Sequence, residues 1–370
     1  MYRLFLVFLL GLLSFSGCSK ENKHLIKIAV PCPLTGDLAA MGQGMKKAVE
    51  IAVEEANATT VLKGMKYEVA AYDDRADPKE AVNIANQIVS DSRIFGVIGH
   101  LNSGCSIPAS QIYSRYNLVI ISPASTNPKL TYQGLKNVFR VCTTDDVQGS
   151  FAANYTIDKL KLTKAAVLHD KTAYGQGLGE EFKKQFEIRK GKVLSFDGIN
   201  IGDKDFKALL TRIKTQKPQV IYFGGVYTEC GLIAKQAKEI GIKAPVFSDD
   251  GVSSPEFIKI GGKATEGSYT SLNGVPPEKL ASSKSFIEKF KSKYPNTDLQ
   301  PYDPYTYEAA KILIESIEKT NMDKTKIASY ISAIKYKGIL GETSFDERGD
   351  TLNKSISIYK VINGKFEYVD

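Results

Sequence analysis

From residue 26 the chain alternates short, nearly continuous apolar runs with amphipathic stretches of helical length. IKIAV, YEVAAYDD, IFGVIGH and LVIIS read as strands, separated by the helical patterns GMKKAVEIAVEEAN, PKEAVNIANQIVSD and SIPASQIYSRY. Strands that are apolar on both faces belong to a parallel sheet covered by helices on each side. The pattern then restarts. KAAVLHD, KVLSFDG, QVIYFGG and APVFSDD are predicted strands, with GLGEEFKKQFEIRK, DFKALLTRIKTQ and TECGLIAKQAKEIG between them. Two doubly wound α/β units follow from this repetition.

The last third does not read as a third unit. GSYTSLN leads into predicted helices around Ser283–Tyr294, Tyr305–Lys319 and Lys326–Ile334, too few strands for a separate sheet. Those helices must pack on an existing lobe. The closing run TSFDERGDTLNKSISIYKVINGKFEYVD reads as extended, with an Asn363-Gly364 hairpin turn. The expected organisation is an N-terminal lobe of 26–143 plus 274–345 and a C-terminal lobe of 144–273 plus 346–370. A chain that crosses more than once between lobes makes a multi-strand hinge, which permits rigid closure.

The first residues change the setting. Arg3 precedes an apolar run from Leu4 to Leu13, followed by small residues and Cys18, the layout of an export signal over 1–17. Phe15-Ser16-Gly17-Cys18 resembles a lipobox, so Cys18 is the expected lipidation site, with 18–25 as a tether. Plain secretion with cleavage nearby is the alternative reading. Loss of Arg3 with the signal lowers the formal charge from +8 to +7. Basic and acidic residues are interspersed, which excludes nucleic acid as a partner for an exported chain and leaves a membrane contact through the lipid.

Subtracting Cys18 leaves Cys32, Cys105, Cys142 and Cys230. Their spacing fits no zinc site. A Cys32–Cys105 bridge and four free buried thiols are both open. No GxSxG elbow, HExxH or P-loop occurs, and the glycines at 36, 42 and 44 have the wrong spacing for a dinucleotide loop, so neither catalysis nor a cofactor is expected. The acidic run Asp73, Asp74, Asp77 reads as structure, with Asp77 capping a helix that begins at Pro78. His100 and His169 end strands without a nucleophile at a catalytic spacing.

Ligands of open α/β sheets bind beyond the carboxyl ends of the strands. Ser103 follows the third strand where a helix begins, a place for an anion, although a serine there also caps helices. Ser122-Pro123-Ala124-Ser125-Thr126 follows the fourth as a hydroxyl-rich loop. Tyr174 and the pair Asp249-Asp250 follow strands of the second unit. A carboxylate facing hydroxyl and amide donors suits a ligand with both ammonium and carboxylate groups. Asp250 as an ordinary loop cap is the alternative.

Taken in order, YDDRADPKEAVNIANQIV, VIGHLNSG, PASQIY, SPASTNPKLT, HDKTAYGQGL, DGINIGDKDF, YFGG and FDERGD resemble the leucine/isoleucine/valine-binding proteins of ABC transport systems, from about Ile26 to the end. The resemblance implies a type I periplasmic-binding fold and a monomer that delivers an amino acid to a permease. It implies carboxylate contacts from Ser103, Ala124 and Thr126, an ammonium contact from Asp250, and a closing Tyr174, with Tyr302 as an aromatic wall. Asp250 is one methylene shorter than the family's glutamate. Met41 stands where that family carries an aromatic residue, and Val226 where it carries a tyrosine, next to Tyr227. Ala76 and Asn102 replace a family disulfide. The implied function is binding of a free α-amino acid, branched aliphatic side chains favoured. A sensory or transport receptor for an amide or other small polar solute is the alternative on the same fold.

Overall fold

The computed structural model describes residues 24–370, so the signal segment and Cys18 lie outside the described residues. The first sheet is parallel and has the order β2-β1-β3-β4-β5. Its strands are β1 (Leu25–Cys32), β2 (Lys66–Asp73), β3 (Ile94–Ile98), β4 (Ile120–Ser122) and β5 (Val138–Arg140). Leu25, placed in the tether by sequence, is the first residue of β1 and pairs with Lys66. Helices α1 (Ala39–Thr59), α2 (Pro78–Ser90) and α3 (Ser103–Arg115) connect these strands. Asp77 caps α2 by accepting from the N–H groups of Lys79 and Glu80.

After β5 the chain crosses to α4 (Asp145–Asp158) and builds a second sheet in the order β14-β13-β10-β9-β8-β6-β7. Its parallel part comprises β6 (Lys164–His169), β7 (Lys192–Gly198), β8 (Val220–Gly224), β9 (Val246–Ser248) and β10 (Tyr269–Asn273). Helices α5 (Ala173–Ile188), α6 (Lys207–Thr215), α7 (Tyr227–Glu239) and α8 (Pro255–Gly261) flank it. Stacked rings of Phe182 and Tyr222, with centroids 3.7 Å apart, seal α5 on β8. Each such buried ring contributes roughly 1.5–3 kcal/mol.

Leaving β10, the chain returns to the first sheet as α9 (Lys284–Lys293), α10 (Asp303–Lys319) and α11 (Lys324–Ala333). Helix α10 is buried along most of its length and packs on α1, β3 and β4. A small hairpin, β11 (Tyr336–Gly338) with β12 (Gly341–Thr343), follows; its residues read as plain chain in the sequence. The final crossing leads to β13 (Ile356–Ile362), antiparallel to β10, and β14 (Lys365–Tyr368). Asn363 and Gly364, at φ of 52° and 71°, make the tight turn between them. The α/β architecture is therefore two doubly wound lobes joined by several crossing segments.

A buried ion pair holds this junction. Arg140, at the end of β5, meets Asp350 from the last crossing segment. The same guanidinium donates to the carbonyls of Ser125 at 3.0 Å and Asn127 at 2.8 Å and to the Thr131 hydroxyl at 2.6 Å. One cation thus ties the hinge to the loop after β4.

Candidate functional site

The loop after β4 is stitched before any ligand is considered. Ser122 Oγ accepts from the Ser125 N–H at 3.0 Å, and Ser125 Oγ lies 2.6 Å from Ser106 Oγ and donates to the Leu101 carbonyl at 3.1 Å. Side-chain bonds to nearby backbone are the usual way such residues fix a turn. Ala124 and Thr126 are consequently held in place, both buried. Ser103 is the first residue of α3 rather than its cap; that position is Asn102, whose side chain makes no capping bond. Ser103 Oγ accepts from the Asn127 N–H at 3.2 Å, which leaves its own hydrogen to donate. The first N–H groups of α3 also lack intrahelical partners.

The second lobe supplies the acids. Asp250 is fully buried, and its Oδ1 accepts from the Tyr174 hydroxyl at 2.8 Å and the Gly251 N–H at 3.0 Å. Its Oδ2 accepts from the Asn273 amide at 2.8 Å. Burial raises its carboxyl above the ordinary range, while Tyr174, Tyr302 and Asn273 pull the other way. Neighbouring Asp249 faces elsewhere and is bonded by the Tyr222 and Ser271 hydroxyls. Its carboxyl is pushed up to about 7 by burial. A side chain at Gly251 would meet the Tyr174 hydroxyl at 2.9 Å and the Gly225 carbonyl at 2.7 Å, so only glycine fits beside that contact.

Met41, Ser103, Ala124, Tyr174, Val226 and Tyr302 line one small chamber of about 20 Å³ together with Leu101, Asn102 and Gly251. Thr126 and Asp250 do not line it; Thr126 follows Ala124 by two residues, and Asp250 reaches the lining through its bond to Tyr174. Six of the eight residues singled out by sequence thus line the same chamber. A larger cavity of about 810 Å³ shares Asn102, Ser103, Tyr174 and Val226 with the chamber and runs outward past Ala76. Tyr227 does not fill the space beside Val226; its hydroxyl donates across to the Asp37 carbonyl at 2.6 Å. Further contacts join the lobes: Asn127 Nδ2 to the Ala173 carbonyl at 2.6 Å, Ser254 to Gln300 at 2.8 Å and Lys259 to Asp298 at 3.0 Å.

Sequence reasoning missed Asn273, the last residue of β10, and Asp145, the first residue of α4. It also left the cysteines open. All four described cysteines are free and buried, so the Cys32–Cys105 bridge does not form; Cys32 Sγ instead faces the Gly42 carbonyl at 3.3 Å. His100 is tied to Asp74 at 2.7 Å and to Tyr113 at 3.0 Å. No helix among the described residues is long and apolar enough to cross a membrane.

Two α/β lobes that each contribute residues to one chamber define a bilobal solute-binding protein. The chain belongs to the periplasmic binding protein family, which it matches over residues 25–365. It is 36% identical to the Leu/Ile/Val-binding protein homolog 1 of Brucella suis, over 98% of this chain and 97% of that one. A leucine-binding protein from Thermotoga maritima shares its structure with a TM-score of 0.87 at 31% identity, covering 93% of this chain and 98% of that chain. The branched-chain amino acid transporter substrate-binding protein of Streptococcus pneumoniae, in complex with isoleucine, gives 0.85 at 26% identity, covering 93% and 99%.

Proposed function

We propose that this protein is the extracytoplasmic substrate-binding component of an ABC importer and captures a free α-amino acid, a branched aliphatic one being favoured. In this reading the ligand carboxylate takes the Ser103 hydroxyl, the Ala124 N–H and the free N–H groups at the start of α3. Its ammonium pairs with Asp250, and Met41, Leu101 and Val226 surround the side chain. Tyr174 and Tyr302 close over it from opposite lobes. The closed form then docks on the permease, with Cys18 carrying a lipid that keeps the protein at the membrane.

The observation that carries the reading is a contrast in hydrogen bonding. Buried polar atoms are almost always paired, yet the Ser103 hydroxyl of the first lobe accepts from Asn127 and keeps its own hydrogen to donate, while Asp250 of the second lobe is held only by the neutral donors Tyr174, Gly251 and Asn273. A ligand bearing both charges supplies what each lobe lacks, and charge-assisted bonds in a dry site are strong. Closure is stabilised by ligand contacts to both lobes, so binding itself shifts the population toward the docking form.

The test is a thermal-shift screen of the purified chain against the twenty common amino acids, small amides and dicarboxylates, followed by calorimetry of the hits. Leucine, isoleucine or valine is expected to raise the melting temperature most. Stabilisation by amides or dicarboxylates with none from α-amino acids would reject the reading. The chain has no tryptophan, so the signal must come from a dye or from tyrosine.

A further inference from the structure

Three parts of the molecule meet at Asn127, a buried residue in the loop after β4. Its N–H donates to Ser103 Oγ at 3.2 Å and its carbonyl accepts from Arg140 at 2.8 Å, so the first lobe holds its backbone. The side chain is divided between the lobes. Oδ1 caps the turn Pro128–Leu130 by accepting from the Lys129 N–H at 3.0 Å, while Nδ2 crosses to donate to the Ala173 carbonyl at 2.6 Å, next to Tyr174. One end of the amide faces an N–H and the other a carbonyl, which fixes its orientation.

The facing surface of the second lobe is shaped to receive that amide. Gly177 lies inside α5, one turn beyond Ala173, and its φ is not positive. The backbone there does not require glycine, which weakens a helix interior relative to alanine. Its place is explained across the seam: a side chain at Gly177 would stand 2.8 Å from Asn127 Nδ2, closer than packed atoms allow. Asn127 is short and already bonded at Oδ1, so it cannot swing aside without losing Ala173. Asn127 and Gly177 line a side groove of about 410 Å³, whereas neither lines the chamber. The contact therefore depends on the lobes being together and not on what lies between them.

We propose that Asn127 and the glycine socket on α5 form a closure latch, which ties the first lobe to Ala173 and sets the population of the closed form. This inference rests on the capture reading above. Apparent affinity scales with the fraction of protein in the binding-competent form, so the latch changes the affinity of every ligand by the same factor. Asn127 is a positioning residue: its backbone holds Ser103, and its side chain draws the start of α5, with Tyr174, against the first lobe. The Tyr227–Asp37 and Ser254–Gln300 contacts persist without it, so its loss weakens closure rather than abolishing it.

The experiment is calorimetry with leucine, isoleucine and valine on the unaltered protein, Gly177→Ala, Asn127→Ser and the double variant, with thermal unfolding of each without ligand. Serine keeps an acceptor for the turn at 128–130 but does not reach Ala173. Loss of one neutral hydrogen bond corresponds to about a 3- to 10-fold loss of affinity. Each single variant should lose that much, equally for the three amino acids, while Gly177→Ala leaves the ligand-free melting temperature unchanged or higher. The double variant should match Asn127→Ser within about 2-fold, because the added methyl group then finds room. An unchanged affinity in Gly177→Ala, additive losses in the double variant, losses that differ among the ligands, or a lowered ligand-free melting temperature in Gly177→Ala would overturn the latch. If the unaltered protein binds none of the three, the capture reading itself fails. Small-angle scattering without ligand then decides the latch: a larger radius of gyration is expected for Gly177→Ala, and equal radii would overturn it.

Discussion

The two walls of the chamber solve opposite problems with different chemistry. The first lobe offers neutral donors: a serine hydroxyl, backbone N–H groups and a loop fixed by Arg140 from behind. The second lobe offers a buried acid, Asp250, oriented by a phenol, a backbone N–H and an amide. Neutral donors are inexpensive to bury when unliganded, whereas a carboxylate in the same place is driven toward its protonated form. Sensitivity of ligand binding to pH should therefore come from the acid side of the chamber.

The largest effect expected is on the acid side. Asp250→Ala should reduce leucine affinity by more than about 100-fold, since breaking a buried charged pair costs about 3–5 kcal/mol. Titration calorimetry measures it, and a loss below about 10-fold would move the ammonium contact away from Asp250.

Next comes stability against pH. Asp249 and Glu308 are both pushed up to about 7 by burial and Asp170 to about 6. Their folded values exceed their unfolded ones, so the folded state binds more protons between these limits. Stability is then greatest below the unfolded carboxylate range and is lost as pH rises toward about 7. For Asp249 alone the span amounts to about 4 kcal/mol at 1.36 kcal/mol per pKa unit. Denaturant titrations from pH 4 to 8 should show the decline, and Asp249→Asn should flatten it; a rise with pH would contradict the raised values of these buried acids.

Ser103→Ala on the neutral side should cost about 10-fold in leucine affinity, with the same penalty at pH 5 and pH 8. A pH-dependent penalty would blur the division between walls. Smallest is Met41→Tyr, which narrows the chamber and should shift the ratio of leucine to larger side chains by about 10-fold. Competition binding reads that ratio directly, and an unchanged ratio would place side-chain selection elsewhere.

How much was legible in the sequence follows from what each segment buries. α1 and α2 bury aliphatic faces, so their period is plain in the sequence. α4 buries Asp145, Gln148, Gly149, Ala152, Ala153 and Thr156, a small and polar face without an apolar period, and the sequence does not announce it. Strands β4, β5 and β9 have three residues each, and only those continuing longer apolar runs are visible. The six candidate residues that line the chamber were nameable because each follows a strand end or carries the resemblance. The burial of Asp145 was not, since nothing in a sequence marks an acid as buried. The cysteines were undecidable from spacing because a parallel sheet can bring two strand ends together without aligning their side chains.

Those cysteines have a practical consequence. Burial raises the thiols of Cys32, Cys105, Cys142 and Cys230 above their ordinary range, so little thiolate is exposed to a labelling reagent. Each becomes reactive only when its surroundings open, and its labelling rate is a clock for that opening. Cys32, Cys105 and Cys142 keep time for the sheet that offers the donors, Cys230 on α7 for the sheet that offers the acids. The chain carries its own reporters of which half breathes first and which half a ligand quiets.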